Sequence, residues 1–161
     1  MANVDFPRGF IPVRYKDNRS LVVEYFDVSS TNAEIAVNDI VERRDDGFVH
    51  IAQAASTSIV GVAAQAKAAN SGGTIAVVPA PGLVMLAQVD DATVNAQTDI
   101  GLNYDIVATV PSGGKSQMEI DGSTQATTAT LPILIERVAD VTSVAGNALG
   151  ANVLVECVFN Q

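Results

Sequence analysis

Short runs of β-branched and apolar residues, separated by Gly, Pro and Asp turn signals, dominate this chain of 161 residues. In NYDIVATV (103–110), Tyr104 and Ile106 alternate with Asp105 and Val107. Period-two alternation over short runs is typical of antiparallel β-strands. The predicted strands are 20–26, 47–53, 56–64, 74–78, 83–89, 103–110, 116–121, 131–138 and 151–160. A chain of this length buries one core, so the sequence predicts a mainly β, single-domain fold, either an antiparallel β-barrel or a β-sandwich.

Helix signals are weak, so at most one or two short helices are expected. The stretch VAAQAKAANSGG (62–73) combines helix-forming residues with a Gly-rich stop, which makes a short helix an alternative to a strand there. The stretch 90–101 is predicted to hold one turn that ends at Gly101. GSTQATTAT (122–130) is expected to be a long polar surface loop.

The first 18 residues differ in character from the rest of the chain. Their helix-breaking residues are Pro7, Gly9 and Pro12. Their apolar residues, which are too many for a free tail, are Phe6, Phe10, Ile11 and Val13. The sequence therefore predicts an extended N-terminal arm over 1–18, followed by a β domain over 19–161. The arm lies either on its own domain or on another chain, where aromatic and Arg side chains would anchor it.

The charge of the chain excludes some partners. Nine Lys and Arg face eighteen Asp and Glu, for a formal net charge of −9. Phosphate backbones repel such a chain, so no nucleic-acid partner is expected. The first 19 residues carry four basic and two acidic residues, which makes the arm weakly basic on an acidic body. No run of about 20 apolar residues is present, so no membrane span is expected.

The stretch PSGGKS (111–116) is the one motif that suggests nucleotide chemistry. A Walker A loop needs a further Gly, but Thr109 stands at that position. The residues after Ser116 alternate like a strand, so no helix N-terminus would face a phosphate. We therefore predict a tight turn between strands rather than a phosphate-binding loop.

The remaining candidates for chemistry have simple structural explanations. His50 is the only histidine and lies within a predicted strand, so we expect it to be half-exposed or hydrogen-bonded. Cys157 is the only cysteine, which excludes an intrachain disulfide, and its apolar strand predicts a buried, inert thiol. The acidic pairs 45–46 and 90–91 lack calcium-loop spacing and are expected to be solvated. We predict no catalytic residue, no metal and no cofactor, and hence no enzyme.

The opening ANVDFPRGFIPVRY resembles the opening of small virion structural proteins of tailed bacteriophages, which are encoded beside the major capsid protein. Further similar segments follow in the same order: NDIVERRDDGFVHIAQA, TIAVVPAPGLVMLAQVDD, TDIGLNYDIVA, KSQMEIDGST, LPILIERV and GANVLVECVFNQ. Together they resemble the capsid decoration, or cement, family of head auxiliary proteins. Only the Ala-rich stretch 62–73 departs from the strand-like pattern of that family.

The resemblance implies a protein that binds the outer surface of an expanded icosahedral capsid and bridges major capsid protein subunits. It implies a β fold without cofactor or chemistry, a homotrimer or other homo-oligomer, and assembly on the virion in the host cytoplasm. The docking residues that it suggests are Phe6, Pro7, Arg8, Phe10, Ile11 and Arg14. The alternatives are another virion component, such as a head fibre base or a tail-associated β module, and a carbohydrate-active β-sandwich enzyme. The absence of Trp speaks against the enzyme.

Overall fold

The computed structural model describes residues 3–140 and 147–160 of the chain. It is mainly β, as predicted, with one six-stranded sheet and one closed five-stranded barrel in a single domain. The strands are β1 (Ile11–Tyr15), β2 (Glu24–Val28), β3 (Ile40–Arg43), β4 (Val49–Ile51), β5 (Ile59–Ala63), β6 (Gly73–Pro79), β7 (Leu83–Gln88), β8 (Asn103–Val107), β9 (Glu119–Ala126), β10 (Ile133–Val138) and β11 (Leu154–Phe159).

The six-stranded sheet has the order β1-β7-β11-β10-β8-β9 and is antiparallel throughout. Its neighbouring strands β7 and β11 are buried over almost their whole length. Burial on both faces explains why LVMLAQ and LVECVF read as nearly continuous apolar runs instead of clean alternations. The first and last strands, β1 and β9, form the two edges of this sheet.

The barrel has the order β2-β4-β3-β5-β6 and closes because β2 pairs with β6. Its interior holds a small cluster of aliphatic side chains: Val28, Ile35, Val41, Val49, Ala63, Ile75 and Val77. A larger cluster, which includes Phe10, Tyr15 and Tyr104, joins residues of the barrel strands to one face of the sheet. This shared core holds the barrel and the sheet together as one unit.

Two local predictions differ from the structure. No helix forms in 62–73, because the backbone of Lys67 exchanges two hydrogen bonds with Ile35, at 2.9 and 2.7 Å, and so forms a bridge instead. The loop predicted for 122–130 was wrong in its first half, because β9 continues to Ala126 opposite Asn103.

The single turn predicted in 90–101 is confirmed as a 3-10 turn over Gln97–Asp99. No helix in the described part of the chain is long and apolar enough to cross a membrane.

A buried carboxylate, Asp39, makes stability depend on pH. Its side chain has no exposed surface and accepts the Ala36 amide at 2.7 Å. Burial raises the pKa of Asp39 from 3.8 to about 6, although the Ser116 hydroxyl and the Ala36 amide favour the charged form. Because this pKa is higher in the folded than in the unfolded state, the contribution of Asp39 is fully present below about pH 4. It is lost as the pH rises through about 6.

We therefore expect Asp39→Asn to raise the free energy of unfolding at about pH 8 by roughly 2–3 kcal/mol relative to the unsubstituted protein. Asn keeps an acceptor for the Ala36 amide and carries no charge into the core. At about pH 4 the two proteins should have nearly equal stability. Urea unfolding of both proteins across this range measures the difference, and a difference that does not change with pH would contradict the assignment.

Candidate docking groove beside the N-terminal segment

The N-terminal segment, residues 3–10, lies along its own domain in an extended conformation. The Asn3 side chain donates hydrogen bonds to the carbonyls of Ala148 and Ala151, both at 2.8 Å. The Gln88 side chain accepts the Phe6 amide at 3.0 Å and donates to the Val4 carbonyl at 2.8 Å. These contacts hold the backbone of residues 3–6 against the end of β7, while Val4 and Phe6 keep 78% and 54% of their surface exposed.

Within the predicted arm, residues 11–15 form the edge strand β1 of the sheet. Ile11 pairs with Leu86 and Tyr15 pairs with Leu83. Phe10 and Tyr15 have no exposed surface and belong to the shared core. Their burial packs this part of the predicted arm onto its own domain, one of the two placements left open by the sequence. Phe10 is therefore a core residue in this structure, and it presents nothing to a partner.

Arg14 also forms an ion pair within its own sheet. Its guanidinium lies 3.1 Å from Glu156 Oε2, while the Arg137 guanidinium lies 2.6 Å from Glu156 Oε1. The Arg137 hydrogen bond, helped by Arg14, lowers the pKa of Glu156 although its burial opposes this. The nearly buried Glu156 carboxylate on β11 thus forms ion pairs with both β1 and β10. These contacts give Arg14 a role in the stability of the sheet, although 40% of its side chain stays exposed.

The backbone conformation of Gly9 determines the path of the N-terminal segment. Its φ is +72°, in the left-handed region that favours glycine. A Cβ at this position would collide with the carbonyl oxygen of Asn38 and with the Ser116 side chain. The adjoining backbone is anchored, because the Phe10 amide donates to the Asn38 carbonyl at 2.8 Å and the Asn38 side chain donates to the Arg8 carbonyl at 3.2 Å.

A surface groove of about 510 Å³ lies beside the N-terminal segment. One wall is the N-terminal segment and the start of β1, and it contains four of the six residues that the sequence suggested for docking: Phe6, Pro7, Arg8 and Ile11. The other wall contains Val37, Asn38 and residues 114–117. We call this feature the N-terminal groove.

The far wall is built by the predicted tight turn in PSGGKS, which is confirmed. Ser112 and Lys115 exchange backbone hydrogen bonds of 3.0 and 3.2 Å. Gly113 and Gly114 have φ of +59° and +73°, as a type I′ turn requires at both central positions. The turn places the exposed Lys115 beside Val37, with which it forms an isolated parallel bridge. The backbone of these glycines, which have no side chains, therefore shapes this wall of the groove.

The N-terminal groove combines apolar surface with positive charge. The Arg8 guanidinium stacks on the Phe6 ring at 4.4 Å from its centroid, and Val37 is 42% exposed. Neither Arg8 nor Lys115 forms an ion pair with a carboxylate in the described part of the chain. On a chain of net charge −9, two uncompensated cations beside an exposed aromatic ring favour a ligand with both acidic and apolar groups.

No protein-family model and no curated protein matches this chain.

Acidic side chains also lie near the N-terminal segment. Burial, together with the nearby charges of Asp5 and Asp90, raises the pKa of Glu119 to about 7. Within residues 3–140 and 147–160, no group of three or more His, Cys, Asp or Glu side chains is arranged to hold a metal ion.

The other singled-out residues occupy structural positions. His50 Nε2 lies 2.9 Å from Asp46 Oδ2, which confirms a hydrogen-bonded histidine. Cys157 has no exposed surface, and burial raises the pKa of its thiol far above the ordinary value. Of the two acidic pairs, Asp45, Asp46 and Asp90 are exposed and Asp91 is half-buried. None of these groups lines the N-terminal groove.

Sequence reasoning missed the far wall of the groove. The sequence around Val37 is typical of a segment that packs in the core. No neighbouring residue in the sequence indicates that Val37 is exposed. In the sequence, Lys115 stands out only through its place in the incomplete Walker A match. The one usable signal was its position after two glycines, because a type I′ turn projects from the surface.

Proposed function

We propose that this protein is a virion structural protein that decorates the outer surface of an expanded icosahedral phage capsid. It stabilises the shell by bridging major capsid protein subunits, and it carries out no chemistry. A ligand that binds only the assembled shell stabilises that shell by mass action. Many copies on one particle add modest affinities through high effective concentration.

The observation that carries this proposal is the N-terminal groove. It brings four residues of the family-like opening (Phe6, Pro7, Arg8 and Ile11) together with Lys115. Among the described residues, neither Arg8 nor Lys115 forms an ion pair with a carboxylate. An exposed Phe under a stacked Arg is the type of side-chain pair that anchors protein interfaces. The groove therefore suits an acidic, apolar-containing segment of a shell subunit, and the acidic remainder of the surface would be repelled by packaged nucleic acid.

The test is binding to purified expanded shells, measured by co-sedimentation. Phe6→Ala removes the aromatic anchor and should weaken binding about tenfold, while Arg8→Glu reverses the charge in the groove and should weaken it at least as much. Phe48→Ala is the matched control, because Phe48 is an exposed phenylalanine (38%) in the barrel. It should bind shells like the unsubstituted protein.

Binding of the unsubstituted protein to shells, with loss in the two groove variants alone, supports the proposal. Failure of the unsubstituted protein to bind expanded shells would refute it, and binding to purified tails instead would favour a tail-associated module. Equal loss in the Phe48 control would show that the groove is not the docking surface.

A further inference from the structure

The clearest exposed apolar feature outside the N-terminal groove lies on and just before β2. Leu21, Val22, Val23 and Tyr25 expose 41%, 45%, 49% and 69% of their surface. Single exposed apolar residues are ordinary, but a contiguous row of aliphatic and aromatic side chains marks an interaction surface.

The backbone beside these side chains is unpaired along one edge. On one side, β2 pairs with β6 from Glu24 to Val28. On the other side, β4 contributes a single pair, Val28 with Val49. Residues 20–23 form no backbone hydrogen bond within the described part of the chain. Native proteins protect such an edge with charged residues, especially Lys, with Pro or with a bulge. Residues 20–27 contain no Lys or Pro, and their only charged residues are Glu24 and Asp27.

The outward side chains of this edge have a self-complementary order. Phe26 packs against the barrel cluster and Val28 lies within it, so Tyr25 and Asp27 of β2 point outward, and a strand continued back to residue 19 would place the other odd-numbered residues in the same row. In order along the chain they are Arg19, Leu21, Val23, Tyr25 and Asp27, and all are exposed. If two copies of this row run antiparallel with Val23 opposite Val23, Arg19 of each copy faces Asp27 of the other. The aliphatic and aromatic positions face one another between them.

We propose that the edges formed by residues 19–27 of two copies of this chain pair antiparallel around a two-fold axis at Val23. The pairing places Arg19 opposite Asp27 of the second copy and Leu21 opposite its Tyr25, and the symmetry repeats both pairs. A second copy is the occupant because only a chain with this order, read in reverse, matches every position. The dimer does not depend on docking to a shell.

The contacts that Arg19 and Asp27 make within one chain permit this pairing. The Arg19 guanidinium lies 3.2 Å from Asp17, stacks on the Tyr15 ring at 4.1 Å from its centroid and donates to the Pro81 carbonyl at 3.4 Å. Arg19 must leave these contacts to reach Asp27 of the second copy, but its side chain is more than half exposed, and such surface contacts contribute little. Asp27 forms no ion pair with the described residues. In the proposed register, Glu24 faces Val22 of the second copy, so no like charges are opposed.

Analytical ultracentrifugation of charge-reversal variants tests the dimer. The unsubstituted protein should sediment as a dimer. Arg19→Asp and Asp27→Arg each place like charges opposite one another at both ends of the interface and should raise the dimer Kd at least about tenfold. The double variant, Arg19→Asp with Asp27→Arg, restores opposite charges in the same register and should return the dimer.

Val23→Lys provides a second variant that does not depend on the ion pairs. It places two lysines against each other at the axis and should give a monomer with an unchanged circular dichroism spectrum. A monomeric or trimeric unsubstituted protein would overturn the proposal, as would a dimer that survives Val23→Lys. A double charge-reversal variant that remains monomeric would overturn it as well.

Discussion

Gly61→Ala should lower the free energy of unfolding by about 3 kcal/mol or more. A Cβ at Gly61 would meet the carbonyl oxygen of Val78 and would lie 2.9 Å from the Val77 side chain. Because the obstacle is backbone, no rotamer change relieves the collision. The strands β5 and β6 would have to separate where Gly61 pairs with Pro79, and this pairing helps to close the barrel.

Urea unfolding followed by circular dichroism measures this loss, with Gly82→Ala as the control. Gly82 has a φ of +73° but nothing within 4 Å of an added Cβ, so its substitution should cost only the backbone strain, about 1 kcal/mol. If Gly61→Ala were no more destabilising than Gly82→Ala, the close contact between β5 and β6 would not exist as described.

Gly9→Ala should detach the N-terminal segment and abolish docking while the rest of the domain stays folded. The substitution adds strain at a φ of +72° to a collision with the Asn38 carbonyl oxygen, and together these should cost about 2–4 kcal/mol. Residues 3–8 are held by a few hydrogen bonds at the surface, so releasing them is easier than unfolding the core. Trypsin should then cleave after Arg8 much faster than in the unsubstituted protein.

The same variant links this geometry to shell binding. Without the N-terminal segment the groove loses one wall, so Gly9→Ala should lose shell affinity by more than about tenfold. Gly47→Ala is the matched control, because Gly47 also has a positive φ (+84°) but open space around it. Rapid cleavage together with undiminished shell binding would show that the segment does not contribute to docking.

The strands of the sheet interior were predictable because their sequences carry the pattern that burial demands. LVMLAQV and ANVLVECVFN are long apolar runs, and they contain the neighbouring strands β7 and β11. The short strand β3 escaped prediction because its two apolar residues, Ile40 and Val41, are followed by charged residues. The end of β9 was taken for a loop because Ser, Thr and Gln suit an edge strand facing water as well as they suit a turn.

The course of the N-terminal segment could be predicted only in part. Pro7, Gly9 and Pro12 correctly excluded a helix, and the apolar residues indicated that the segment lies on a surface. Which surface it covers depends on contacts far apart in sequence, such as Arg14 with Glu156 and Gly9 with Asn38. An apolar residue in the sequence indicates only that burial is favourable. Local patterns therefore could not predict that Phe10 is buried while Phe6 is exposed.

An electron cryomicroscopy map of an intact decorated particle tests the central claim most directly, because it locates the domain and shows which surface faces the shell. We predict density for the β domain on the outer capsid surface, with Phe6, Arg8 and Lys115 against a major capsid protein subunit. Density in which these residues face solvent, or a particle whose only copies lie on the tail, would contradict it.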